Sequence, residues 1–109
     1  MKKFSTLIVF VSILFLTATL RAGSAVDKGS CSYNGIKLYG KVQFVDSFPD
    51  IKVEVVSAFP DLKVQKVSSF PDSCGQWQSV DAFPDFKVQV VSSFGDIKIQ
   101  YVSAFPGAE

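Results

Sequence analysis

The sequence has no histidine, one methionine, one tryptophan and two cysteines among its 109 residues. Without histidine, a Ser-His-Asp or Cys-His arrangement is excluded, and two cysteines alone do not complete a tetrahedral zinc site. Basic residues number 11 and acidic residues 10, with no cluster of either sign. These absences argue against an enzyme, against a cofactor or bound metal, and against nucleic acid or an anionic membrane as a partner.

The first 25 residues have the pattern of a secretory signal peptide. Two lysines precede an apolar run over residues 7–20, which is shorter than the roughly 20 residues that a spanning helix needs. Gly23 and Ala25 then fit a cleavage site. We expect residues 1–25 to be removed and residues 26–109 to form one exported domain, periplasmic or extracellular and free of the membrane. The alternative is an uncleaved membrane anchor.

Cys31 and Cys74 are the only cysteines. An even count in an exported chain predicts a disulfide between them. The bond would close a loop of about 43 residues, worth on the order of 4 kcal/mol in the chain-entropy model. The alternative is two buried free thiols.

A phenylalanine recurs at steps of 11, 11, 13, 11 and 11 residues and marks a tandem repeat. Each one follows Ser or Ala, and each precedes Pro except Phe94, which precedes Gly95. The two extra residues of the long step lie beside Cys74 and Gly75. The six phenylalanines are Phe48, Phe59, Phe70, Phe83, Phe94 and Phe105.

Between the phenylalanines lie short runs of Val and Ile with Lys or Gln interleaved, a pattern typical of β-strands. Proline in nearly every copy excludes a helical coil of the same period. Six such runs, and a degenerate earlier one at residues 35–39, predict about seven short strands in an all-β, pseudo-symmetric domain. One copy cannot bury its own apolar face, so the copies must pack together, and closure would remove exposed strand edges.

Counted from the residue after each Asp, positions 1, 3, 6 and 9 are almost always apolar, whereas position 5 is unconstrained. We expect positions 1 and 3 in the core and the lysines at position 2 in solvent. A bulge near positions 4 and 5 would turn position 6 inward; the alternative is a strand end buried on both faces. The phenylalanine at position 9 precedes proline, which favours extended geometry, and we expect it in the core. The alternative is a row of phenylalanines that stacks on a ligand.

Two further sets of residues are candidates for binding. The turn aspartates are expected to bond local backbone; in the alternative they form a rim that binds a cation such as calcium. Glycoside hydrolysis is disfavoured, because equivalent solvated turns would not separate acid and base roles. Trp77 is expected to pack on the disulfide; in the alternative it stacks on a sugar. The aspartates are Asp50, Asp61, Asp72, Asp85 and Asp96.

The phrase Ser-Phe-Pro-Asp-x-Lys-Val-x-x-Val, with Cys-Gly-Gln-Trp inserted before a further copy, resembles the bacterial septoil knot domain, a small β family named for a seven-crossing torus knot. The resemblance runs from Cys31 to about Val102, and its departures are Gly95 in place of Pro and Ser79 beside the core. It implies a knotted, pseudo-symmetric β domain and no particular activity. We therefore expect an exported non-enzymatic structural or binding module with a glycan or protein partner. The alternative is a lectin-like or calcium-dependent carbohydrate-binding protein.

Overall fold

The computed structural model describes residues 25–108. The expected signal peptide, except for Ala25, lies outside the described residues. Within residues 25–108 no helix is long and apolar enough to cross a membrane. This part of the chain forms a two-stranded hairpin and a closed six-stranded barrel, so the predicted all-β fold is confirmed.

The strands follow the repeat. A short antiparallel hairpin comes first, made of β1 (Ser32–Tyr33) and β2 (Ile36–Lys37). The second of these lies in the degenerate run predicted from the sequence, whereas the first was not predicted. The barrel strands are β3 (Gly40–Phe44), β4 (Ile51–Val55), β5 (Leu62–Lys66), β6 (Gln76–Ser79), β7 (Phe86–Val90) and β8 (Ile97–Tyr101).

All neighbouring strands of the barrel are parallel, in the order β3-β6-β5-β8-β4-β7. Strands of the first three repeats, β3 to β5, therefore alternate with strands of the last three, β6 to β8. Each connection between consecutive strands passes over one other strand of the barrel. The exception is the connection from β5 to β6, which are neighbours. The two extra residues of the long repeat step fall in that exceptional connection.

The strand register is uniform around the barrel. Val42, at position 3 of its repeat, pairs with Phe86 at position 1 of the next strand, and Val88 pairs with Ile51 in the same way. Because this offset recurs at each interface, equivalent residues of all repeats lie at one height along the barrel axis.

The bulge expected near positions 4 and 5 is not present. Pairing continues without interruption through these positions, for example at Gln43 and Phe44. The residue at position 6 extends the same hydrogen-bond pattern, since the Val45 N–H donates to the Val88 carbonyl at 2.9 Å. Position 6 is half-buried. This partial burial occurs in a regular strand and does not require a bulge.

Two layers of side chains fill the barrel, as predicted for positions 1 and 3. Every apolar residue at these positions is 3% exposed or less. Leu38, which precedes β3, is fully buried, and its carbonyl accepts the Gly75 N–H at 3.2 Å. The interior residues are Val42, Ile51, Val53, Leu62, Val64, Trp77, Phe86, Val88, Ile97 and Ile99.

The predicted disulfide between Cys31 and Cys74 is formed, with 5.8 Å between the Cα atoms. Cys31 belongs to the segment that precedes the barrel, and Cys74 lies in the connection from β5 to β6. The bond therefore fastens the N-terminal segment to the one connection that does not pass over a strand.

Glutamines at position 4 hold the connections against the strands that they cross. The connection from β3 to β4 passes over β7, where Gln89 Nε2 donates to the Asp46 carbonyl at 2.9 Å. Gln43 and Gln100 make the equivalent bonds over β3 and β8. The C-terminal tail lies over β5 in the same manner, with Gln65 donating to Ser103.

Candidate binding surfaces

The repeat phenylalanines are the most exposed large apolar residues of the described chain. They are 80–93% exposed and have φ angles between 54° and 60°. The expectation that they are extended and lie in the core is wrong. Proline disfavours the right-handed helical region for the residue before it, and the backbone adopts the left-handed region rather than the extended one. The interior is already filled by positions 1 and 3, which leaves position 9 outside.

The left-handed conformation is costly for phenylalanine. A bulky L-residue there is an outlier, and the region costs roughly 1–2 kcal/mol per residue relative to right-handed backbone. Glycine or asparagine would satisfy the same turn at lower cost. The fold therefore uses the backbone geometry at position 9 but does not use the phenylalanine side chain.

These side chains surround the barrel, and we call the set the phenylalanine girdle. Five of them lie in segments that cross β7, β8, β3, β4 and β5, at one height because the register is uniform. Phe70 lies in the connection to β6. The girdle consists of Phe48, Phe59, Phe70, Phe83, Phe94 and Phe105.

Four of the five turn aspartates bind the crossed strand rather than their own turn. Asp50 Oδ2 accepts the Lys87 N–H at 2.7 Å, and the Asp50 N–H donates to the Lys87 carbonyl at 2.9 Å. The same two bonds join Asp85 to Lys41. The expectation of local turn bonds is therefore wrong for these residues. The remaining pairs of this kind are Asp61 with Lys98 and Asp96 with Lys52.

Asp72 differs because it lies in the connection that crosses no strand. Its N–H donates to the Phe70 carbonyl at 2.8 Å and approaches Gln76 Oε1 at 3.2 Å. Among the described residues, no three acidic, cysteine or histidine side chains come together in a group that could hold a metal ion. The four aspartates that bind a crossed strand lie at one height, but each lies on a different side of the barrel, so they do not converge on a single point.

Trp77 is an interior residue and not a binding platform. It is 1% exposed, and its Nε1–H donates to the Leu38 carbonyl at 3.0 Å. Its ring meets the Phe86 ring edge-on, with 5.7 Å between centroids. Gly40 is its register partner, so a large side chain lies beside a residue without one. The alternative in which Trp77 stacks on a sugar is therefore wrong.

The sequence did not predict an open cavity beside the hairpin. An open cavity of about 550 Å³ lies between the hairpin and the start of two barrel repeats. Tyr39 and Lys37 line it, together with two of the turn aspartates. The two aspartates were candidates from the sequence, but Lys37 and Tyr39 were not, because the contact of the hairpin with the barrel is not visible in local spacing.

The geometry defines a class: a closed parallel β-barrel of six repeats whose two halves interleave. The chain belongs to the family of the 7(1) septoil knot domain, which it matches over residues 35–109. It is also 62% identical over 64 residues to an uncharacterized protein of Synechocystis sp., a match that covers 59% of this chain. The matched segment spans 57% of the length of that relative.

Proposed function

We propose that this chain is an exported, non-enzymatic binding module that contacts its partner through the phenylalanine girdle. The observation that carries the proposal is the repeated placement of an exposed phenylalanine in left-handed backbone. A side chain that is unfavourable for the fold in every copy, where glycine or asparagine would serve, is retained for a contact outside the fold.

Equivalent contacts around one barrel favour a partner that is extended or present in many copies. No single flat surface can meet side chains that point in different directions around a barrel. Several weak contacts to one long partner raise the overall affinity through effective concentration. The outer face between the phenylalanines carries exposed lysines and half-buried glutamines, so burial in a lipid phase would desolvate charged groups. A glycan or protein polymer is therefore the better partner.

Export is part of the proposal. The Cys31–Cys74 disulfide supports it, because such bonds persist in oxidising compartments. We expect mass spectrometry of the protein from its native host to give a chain that starts near Val26, in the periplasmic or extracellular fraction. A chain that retains residues 1–25 would contradict the localisation.

The girdle is tested by removing its side chains in steps. Variants with one, two, four and six of the phenylalanines replaced by asparagine keep the left-handed turn, and Ser69→Ala beside Phe70 serves as the control. Fluorescent protein is added to washed cells of the native host and to its isolated envelope glycans. The affinity should fall by more than a constant share for each phenylalanine that is removed, because the contacts act together. Equal binding by the wild type and the sixfold variant, with both folded, would exclude the girdle as the binding surface.

The second candidate is a carbohydrate-binding protein that does not use calcium. The open cavity beside the hairpin favours it, and that surface is separate from the girdle because no girdle phenylalanine lines it.

A further inference from the structure

The open cavity lies where the N-terminal hairpin meets the pseudo-symmetric barrel. Its volume of about 550 Å³ is in the range of small-molecule sites. The hairpin contributes Ile36 and Lys37, and Tyr39 follows it. The barrel repeats contribute Asp50 and Asp85. The hairpin and two copies of a repeated turn thus form one concave site.

The two carboxylates are fixed and keep acceptor capacity. Asp50 Oδ2 accepts the Lys87 N–H at 2.7 Å, and Asp85 Oδ2 accepts the Lys41 N–H at 2.8 Å. In the described residues the Oδ1 atom of each makes no hydrogen bond to protein. A Cβ atom at Gly40 would overlap Asp85 Oδ2. Glycine at that position therefore leaves room for the carboxylate beside the cavity.

The rest of the cavity lining is partly aromatic and carries a donor. Lys37 Nζ lies 5.3 Å from the centroid of the Tyr39 ring. Tyr39, Ile36 and Pro71 are half-buried and form an apolar wall. The cavity thus presents two fixed carboxylates, one ammonium group and a partly apolar wall.

We propose that this cavity binds a single sugar residue. Sugar hydroxyls donate to Asp50 and Asp85 and accept from Lys37, while the C–H face of the ring packs against Tyr39. In the part of the chain that the structure describes, no third acidic side chain joins the two carboxylates in a group that could hold a metal ion, and an anion would be opposed by the two carboxylates. A wholly apolar ligand would desolvate three charged groups without replacing their hydrogen bonds. A neutral polyhydroxylated ring satisfies all of them. This inference deepens the carbohydrate-binding alternative and does not depend on the girdle.

The test is an NMR titration of the ¹⁵N-labelled protein with glucose, galactose, mannose and N-acetylglucosamine, each added separately to millimolar concentration. At least one sugar should shift the amides of Gly35, Gly40 and their neighbours in a saturable manner. Asp50→Asn and Asp85→Asn should each weaken that binding about tenfold, as expected for loss of a hydrogen bond to a charged group. Tyr39→Ala should also weaken it.

The repeat supplies a matched control. Asp96→Asn changes an aspartate that makes the same backbone bond, to the Lys52 N–H at 2.8 Å, but does not line the cavity. It should leave sugar binding unchanged. The proposal is wrong if no sugar shifts the cavity amides, or if Asp96→Asn weakens binding as much as Asp50→Asn does. It is also wrong if butylammonium binds there more tightly than every sugar. The sixfold girdle variant should keep sugar binding, which separates failure of this site from failure of the girdle.

Discussion

Glu54 and Gly95 form a pair that replaces the arrangement found in the other repeats. Glu54 Oε2 accepts the Gly95 N–H at 2.8 Å, where the connection from β7 to β8 passes over β4. The other four barrel strands that are crossed by another segment carry a glutamine at this position that donates to a carbonyl of the crossing segment. Proline has no N–H to donate, so the one crossed strand with glutamate occurs together with the one turn that lacks proline.

This pairing predicts a coupled effect on stability. Gly95→Pro removes the donor, and the space is tight, since a Cβ at Gly95 would lie 2.9 Å from Glu54 Cγ. We expect a loss of about 1.5–3 kcal/mol in the free energy of unfolding, the range for a hydrogen bond to a charged group. Glu54→Gln with Gly95→Pro restores the arrangement of the other repeats and should recover most of the loss. Additive effects in a double-mutant cycle of denaturant melts would contradict the coupling.

The girdle predicts that its phenylalanines can be replaced without loss of stability. Phe59→Asn removes an exposed side chain and relieves left-handed strain, so unfolding should cost the same or up to about 1 kcal/mol more. Ile99→Ala, inside the barrel, should cost about 2–5 kcal/mol. Chemical denaturation measures both. A large destabilisation by Phe59→Asn would mean that position 9 packs against the protein after all.

The contrast between these two positions shows how far the sequence reaches. Positions 1 and 3 were predicted correctly because alternation along a strand is local, and the disulfide because two cysteines allow one pairing. Position 9 was predicted wrongly because an apolar residue in a repeat has the same pattern whether it is interior or exposed. Whether the residue at position 9 is interior or exposed depends on which strand each turn crosses. Five of the six barrel interfaces join residues 37 or 44 apart, and spacing within an 11-residue unit carries no information about them. The same non-local pairing gives the turn aspartates their partners. It also brings Asp50 and Asp85 together beside the hairpin, where the cavity lies.

The crossing glutamines predict a position-specific effect. Gln89→Leu releases the connection that passes over β7 and should lower the free energy of unfolding by about 0.5–1.5 kcal/mol, the worth of one hydrogen bond. Gln78 occupies the same position on β6, over which no connection between barrel strands passes, and Gln78→Leu should change stability by less than about 0.5 kcal/mol. Equal effects of the two changes in thermal melts would show that the bond to Asp46 is not responsible.

The disulfide predicts a loss of stability on reduction. It closes 43 residues, and the chain-entropy model gives about 4 kcal/mol for a loop of that length. Equilibrium unfolding with and without a reductant measures the difference, and the variant with both cysteines changed to alanine should match the reduced protein. A reduced protein as stable as the oxidised one would show that the N-terminal segment is held by its other contacts.

The interleaved halves predict slow folding. Every strand of the first three repeats lies between strands of the last three, so neither half can complete its hydrogen bonds before the other is in place. Contacts this distant in sequence must form before packing compensates the loss of chain entropy, which slows folding. We expect refolding of the reduced protein to take much longer than the milliseconds to seconds usual for small β domains, with slow unfolding as well.

Proline isomerisation alone gives phases of about 10–100 s, so refolding is followed with and without a prolyl isomerase. A slow phase that persists with the isomerase supports threading of the chain. Complete refolding in milliseconds would show that the interleaved strand order forms without slow threading of the chain.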